Sequence, residues 1–490
     1  MNFLSQTPTR RGDASPMLVL VIVCAGVVLA SLDLFIVNVA LPDIARDLHQ
    51  RSLGDLSWVL NGYAIVYASL LVLFGRLSES RRRENGFLIG VAVFTAASAA
   101  CGAASSLTML VIFRIVQAAG AALLTPTSLS LVLATTEPER RQGAVRAWTA
   151  IGGLAASLGP VVGGLLVAAS WRWVFYVNVP IGLAAIAVGW RRLPRVPGHP
   201  VAAPDALGAL LVTAGVGLLT LGLVKGNDWG WGSTQTIVVL AAAVASIAAF
   251  ALHCARARNP LIDASLFKIR AFTGSSVVAI VFSIAFGAML LSLVLWCQDV
   301  WGWSALQTGL GVAPGPLMVP IFSFLIAGRL IARFGPGRVI AAGATIYAAG
   351  ATWWTLRAGL DANYAGQMLP GMLMTGIGVG LTLPTFMSTG ASSLPPHSFA
   401  TGSAVVNMLR QVGLAVGVAV LVAVIGTPLT GAQQLTAFQD GWIVIASTAL
   451  LAAISGGVLL RPLRPQRDRA RESARWSGAA GPPPVLPERR

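Results

Sequence analysis

The stretch MLVLVIVCAGVVLASLDLFIVNVAL, residues 17–41, decides the fold. It is an unbroken apolar run of about 25 residues, and a helix needs about 20 to cross the hydrocarbon of a bilayer. Arg10 and Arg11 stand ahead of it as they would in a secretory leader, but a leader's apolar core is about 7–15 residues long and ends in a cleavage site that is lacking here. The run is therefore read as a first membrane span. It carries a single acid, Asp33, between Leu32 and Leu34.

The rest of the chain repeats the pattern. Of 490 residues, 56% are hydrophobic and 11% charged, where soluble proteins carry about 25% charged residues. That balance excludes a soluble multidomain enzyme. A window of about 19 residues finds spans near 17–41, 57–75, 86–105, 108–133, 147–169 and 174–192, then 205–225 and 234–254, then 273–298, 306–327, 337–357, 365–388, 401–426 and 440–461. The expected fold is all-α and integral to the membrane: fourteen helices, as two six-helix bundles with two helices inserted between them. The expected units are an N-terminal segment 1–16, a bundle 17–192, a linker 193–204, the inserted pair 205–254, a connector 255–272, a bundle 273–461 and a basic tail 462–490. No room remains for a soluble nucleotide-binding domain, and no phosphate-binding glycine loop occurs.

A net charge of +16 would suggest nucleic acid in a soluble protein. Its distribution argues for a bilayer instead. Twenty-seven of the 34 basic residues fall in the loops on the N-terminal side and five on the other, leaving Arg114 and Arg410 within spans. By the positive-inside rule both termini are cytoplasmic and the protein is a multi-pass cell-membrane protein that makes no use of nucleic acid. All basic residues except Lys225 and Lys268 are arginine, the bias of a GC-rich bacterial genome. The four cysteines lie far apart in apolar runs and read as reduced packing residues. His49, His199, His253 and His397 are scattered near span ends, so neither an intramembrane enzyme nor a metal or cofactor site is expected.

An ionisable group at membrane depth costs at least about 2.5–3.5 kcal/mol on insertion scales and marks function by default. Asp33 is the acid that lies clearly within a span, which makes it the candidate for loading and unloading a proton. Arg114 and Gln117 stand one turn apart on the fourth span, facing the same way. Asn407, Arg410 and Gln411 form a second polar cluster on the thirteenth. Gly152, Gly153, Gly159, Pro160, Gly163 and Gly164 make the fifth span a helix that can bend and be approached closely. Pro314, Pro316 and Pro320 in the tenth, and Gly376, Gly378, Gly380 and Pro384 in the twelfth, have the same character. Bent, glycine-rich helices around one acid suit a rocking transporter.

Several stretches resemble the fourteen-span drug:proton antiporters (EmrB/QacA type) of the major facilitator superfamily. Leu32 to Pro42 resembles the family's opening signature. Gly75, Arg76, Leu77, Ser78 and Glu79, followed by Arg83, resemble its gating loop, with Ser80 where a basic residue is usual and Arg82 where glycine is usual. Gly328 to Gly335 is a degenerate echo of that loop in the second half. Arg114, Gln117, Gly120, Ala121 and Ala122 resemble the proton-transfer motif, with Ala118 replacing a glycine. Gly159, Pro160, Gly163 and Gly164 resemble the antiporter motif, and Trp171 to Gly182 resembles the fourteen-span signature.

The resemblance implies a proton-coupled exporter of a drug, antibiotic or metabolite that works by alternating access as a monomer and confers resistance. Asp33 and Arg114 would couple the proton. Asn38, Gln117, Asn407, Arg410, Gln411, Phe286 and Phe386 are the candidates for lining a substrate cavity, and Trp296, Trp301, Trp303, Trp353, Trp354, Phe282, Phe322 and Phe324 could add an aromatic wall. With no carboxylate clearly inside the second half's spans, where Asp299 and Asp440 stand at span ends, the expected cargo is a lipophilic monocation or a neutral compound. The alternative is a proton-uncoupled facilitator or channel.

Overall fold

A computed structural model describes residues 16–50, 52–80, 82–137, 140–196, 205–394, 399–426 and 431–460. Among them the chain is helical, with no strand. Thirteen helical segments are long and apolar enough to cross a membrane, and a bent fourteenth completes the expected set. The expected tail 462–490 and most of the expected N-terminal segment lie outside the described residues.

The first half contains α1 (Pro16–Asp47), α2 (Leu53–Ser80), α3 (Arg83–Gly102), α4 (Leu107–Thr135), α5 (Arg141–Val167), and the two pieces of the sixth span, α6 (Trp173–Tyr176) and α7 (Asn178–Arg192). The inserted pair is α8 (Ala206–Trp229) and α9 (Thr234–Arg256). In the second half α10 (Arg270–Leu295) is followed by a tenth span built of α11 (Ala305–Val312), α12 (Pro314–Pro320), a π-helical turn and α13 (Gly328–Phe334). Then come α14 (Pro336–Arg357), α15 (Leu369–Ser392), α16 (Phe399–Ile425) and α17 (Gly431–Leu459).

The breaks have local causes. A proline ring collides with the carbonyl four residues back, and α5 bends by 41° just after Ala156, four residues before Pro160. In the tenth span Pro314 opens α12, and the wider π turn Ile321–Ala327 begins directly after Pro320. Pro384 leaves α15 continuous.

Small residues set the helix separations. A Cβ on Gly120 would lie 2.6 Å from the Phe94 nitrogen, and one on Gly90 would lie 2.7 Å from the Leu124 nitrogen. Thus α3 and α4 touch backbone to backbone in both directions, which is how apolar helices associate where lipid offers no hydrophobic drive.

The halves meet along two seams, α2 against α16 and α5 against α11. Helix α8 lies over the first seam and touches both of its helices, while α9 leans chiefly on α8. Lys225 of α8 pairs with Asp55 of α2 at 2.7 Å, and Asn227 Nδ2 donates to the Ala423 carbonyl of α16 at 2.8 Å. At its other end α8 is capped by Asp205, which accepts from the Gly208 nitrogen at 2.8 Å, from the Leu261 nitrogen at 2.8 Å and from His253 Nε2 at 2.9 Å. Burial by itself would raise the Asp205 pKa, but those hydrogen bonds outweigh it and hold the carboxyl below its ordinary value of 3.8.

Two outcomes follow from these contacts. Gly120→Val should destabilise the protein by about 1–3 kcal/mol, the usual effect of overpacking, and lower its thermal midpoint in detergent; Gly143→Val, which meets nothing within 4 Å, serves as control. Asp205→Ala should cost about 1 kcal/mol at neutral pH as a lost cap. Because the folded carboxyl titrates below its ordinary value, its contribution is present above that value and fades as pH falls through the folded one. The gap in thermal midpoint from wild type should therefore close in acid.

Candidate functional site

Asp33 is fully buried at the middle of α1 and is the hub of a polar network drawn from six helices. Its Oδ2 is paired with Arg114 Nη1. Its Oδ1 accepts from Gln117 Nε2 at 2.9 Å and from Asn178 Nδ2 at 3.3 Å. Ser98 Oγ on α3 accepts from both amides, at 3.1 Å and 3.0 Å, and donates to the Phe175 carbonyl at 3.0 Å. The guanidinium also donates to Gln117 Oε1 at 2.7 Å and through Nε to the Val59 carbonyl at 3.2 Å, and it lies 4.2 Å above the centre of the Tyr63 ring.

The local sequence explains how these groups converge. Arg114 and Gln117 are i and i+3 on α4, so both reach α1. Asn178 is the first residue of α7, directly after the break at Val177 that separates α6 from α7. The segment Trp171 to Gly182 grips α1 twice. Trp171 Nε1 and Arg172 Nη1 hold Asp47 Oδ2 at 3.0 Å and 2.6 Å at the helix end, and Asn178 holds Asp33 at its middle. Ser98 and Asn178 are not among the residues expected from sequence. Neither carries a charge, so each passes as an ordinary member of an apolar run; the available signal was an amide at the depth of a span.

Beside this network lies a cavity of about 340 Å³ between the halves. Asn38, Phe286, Asn407, Arg410 and Gln411 line it, as expected from the sequence. Arg410 Nε donates to Asn407 Oδ1 at 3.0 Å. The other two expected lining residues do not reach it. Gln117 is wholly buried in the Asp33 network, and Phe386 is buried against Phe282, ring centres 6.5 Å apart. The aromatic wall is also elsewhere. Trp296 and Trp354 are buried around Trp442, centroids 5.0 Å and 6.3 Å from it, while Phe324 faces outward. The cavity's aromatic side chains are Phe35, Tyr63, Tyr67, Trp148 and Phe286. A smaller hollow of about 30 Å³, bordered by Arg114 and Asn61, adjoins the cavity through the shared residues Leu34, Asn38 and Leu290. It has room for one or two waters.

Gly159, Pro160, Gly163 and Gly164 pack α5 in two directions. A Cβ on Gly159 would meet the Phe35 side chain at 2.7 Å, and one on Gly163 would meet Ile36 at 3.0 Å, both on α1. A Cβ on Gly164 would sit 2.7 Å from the Ala305 carbonyl oxygen, and Gly309 abuts the Pro160 carbonyl. Together with Gln298 Nε2, which donates to the Val39 carbonyl at 3.0 Å, these contacts close the halves against each other at the end of the bundle remote from the start of α1.

Around the expected gating loop, α2 runs through Gly75 and Arg76 to Ser80, and Arg83 opens α3. Arg83 Nη1 approaches the Ser130 carbonyl of α4 at 3.4 Å. The side chains of Glu79 and Ser80 lie outside the described set.

The sequence pattern of the Major Facilitator Superfamily matches residues 23–418. Among curated proteins the chain is 31% identical to the tetracenomycin C resistance and export protein of Streptomyces glaucescens, over 99% of this chain and 87% of that one. It is 32% identical to the multidrug resistance protein Stp of Mycobacterium tuberculosis, over 86% and 78%. Among solved structures it superposes on the POT family transporter PepTSo with TM-score 0.65 at 15% identity, covering 90% of this chain and 97% of that one. A bacterial homologue of the lysosomal transporter Spinster, solved inward-facing, gives 0.64 at 15%, covering 92% and 98%. With the helices, the motifs and the superfamily's pattern in agreement over most of its length, this multi-pass membrane protein belongs to the Major Facilitator Superfamily.

Proposed function

We propose that the chain exports a small lipophilic molecule, of the antibiotic class named in its relatives, in exchange for protons bound at Asp33. The observation that carries this reading is a buried, fully partnered acid on the helix that also lines the cavity. Asp33 and the cavity are reached from opposite faces of α1, so a change in the acid's charge can be felt as a change in how α1 sits. Protonation removes the partner of a buried guanidinium, and breaking a buried pair costs about 3–5 kcal/mol. The Gln117 and Val59 oxygens and the Tyr63 ring remain to hold Arg114, so the strain falls on the contact between α1 and α4. The small hollow beside Arg114 offers a place for water to carry the proton between network and cavity.

In this reading the protein sits in the cell membrane with both termini cytoplasmic and works as a monomer. The two bundles rock about the shared cavity, and the described arrangement is closed on the outer side by Gly164 against Ala305. One proton entering across 100 mV yields about 2.3 kcal/mol, and one pH unit adds about 1.4. When coupling is tight, the first sustains a cargo gradient of about fifty-fold and the second of about tenfold.

Vesicles reconstituted with the protein and loaded with a pH dye test the coupling, with tetracenomycin C, the antibiotic named in one relative, and puromycin and methylenomycin A, named in two further relatives, as cargo. Wild type should move protons when cargo is added, and Asp33→Asn should bind cargo but move none. Equal proton movement by both would remove Asp33 from the mechanism, and cargo movement indifferent to a protonophore would favour a facilitator. A second measurement tests the seam. Gly164→Leu should prevent closure of α5 on α11 and raise several-fold the labelling, by an impermeant maleimide from outside, of a cysteine placed at Asn38. The four native cysteines are buried, which keeps the background low.

A further inference from the structure

The sequence suggests a cargo that is a monocation or neutral; the cavity's own charges point elsewhere. Among its described lining residues there is no carboxylate, and Arg410 is the one formal charge. Its Nε is occupied by Asn407, and no carboxylate among the described residues pairs with it. Asp33 does not line the cavity and is already neutralised by Arg114. The Tyr67 hydroxyl, held at 3.2 Å from Thr125 Oγ1, lies beside Asn407 and Arg410. Among the described residues, two buried polar atoms of cavity-lining residues have no hydrogen-bond partner, the Tyr63 hydroxyl and Gln411 Oε1. The remaining wall is apolar, with Leu34, Phe35, Phe286, Met289 and Met372 on it.

We propose that the cavity takes an amphiphilic anion: an apolar body bearing one ionised oxygen acid, a carboxylate or acidic phenol, that Arg410 binds. The guanidinium offers paired N–H donors with the fork geometry that suits such an oxygen group. A cation would instead enter a low-dielectric space whose one charge repels it. This rests on the cavity being the cargo site, and it names the charge of the cargo.

The test uses three probes with one aromatic body, 1-pyrenebutyrate, 1-pyrenebutanol and 1-pyrenebutylamine. Saturable binding is read by tryptophan-to-pyrene energy transfer with the full chain in phosphatidylcholine nanodiscs, after subtraction of empty discs. The acid should bind more tightly than the amine by about tenfold or more, the size expected of one charge-assisted contact. Arg410→Gln should abolish that preference, while Arg410→Lys, which keeps the charge, should retain its sign. An amine bound at least as tightly as the acid, or a preference unchanged in Arg410→Gln, overturns the assignment. Binding requires no proton gradient, so a loss of proton coupling elsewhere leaves this result standing. Saturable binding of none of the three would instead remove the cavity as cargo site, and the proposal with it.

Discussion

The pairing of Asp33 with Arg114 is the interaction on which the first bundle is organised. Two ions taken from water into a helix bundle are tolerable only when each is fully partnered, and that demand fixes neighbours on every side. It requires Gln117 one turn from Arg114, Ser98 on α3 to receive the amides, and the break before α7 that delivers Asn178. It also requires α3 and α4 to be close enough for these reaches, which is what Gly90 and Gly120 allow. The packing glycines and the polar network are therefore one design constraint: without backbone contact between α3 and α4, the serine and the glutamine would not share a hydrogen bond.

The two seams between the halves differ in kind. At α5 and α11 the closest approach is backbone on backbone, through Gly164, Pro160 and Gly309. The α2–α16 seam is overlaid by α8, which is tied to α2 by an ion pair and to α16 by a hydrogen bond. Helix α1 connects these arrangements. One face rests on Gly159 and Gly163 of α5, another carries Asp33, and Asn38 with Phe35 looks into the cavity. A charge change at Asp33 is thus mechanically adjacent to the α5–α11 seam.

Most of the fold was legible in the sequence because bilayer thickness imposes a length on every span and the basic loops alternate. Asp33 and Arg114 were each legible as charges at membrane depth, and it was the resemblance to the family that joined them as a proton-coupling pair. What could not be read was orientation. Gln117 was expected in the cavity but turns the other way, because its amide is needed by Asp33 and Ser98. Phe386 was expected there too, yet it fills the space beside Phe282. Aromatic side chains leave no trace in hydropathy of whether they face lipid, core or cavity. Asn178 escaped because an uncharged amide hardly alters the apolar average of its span, although the segment around it carried the resemblance to the family.

The sign of the charge in the cavity changes the energetics of the proposed exchange. When a monovalent cation leaves as one proton enters, no net charge crosses and only the pH difference drives transport. A neutral cargo adds the membrane potential once. An anion leaving as a proton enters moves two charges in the favourable sense, so 100 mV supplies about 4.6 kcal/mol, twice the single-charge value. Its release outward is also down the potential rather than against it. Arg410 then has a reason to lack a carboxylate partner among the described residues: a permanently paired arginine would hold no anion, whereas one whose described partner is Asn407 keeps donors free for cargo. The two intramembrane arginines are accordingly opposite in function. Arg114 is saturated and keeps an acid in place, and Arg410 is unsaturated and holds its place open.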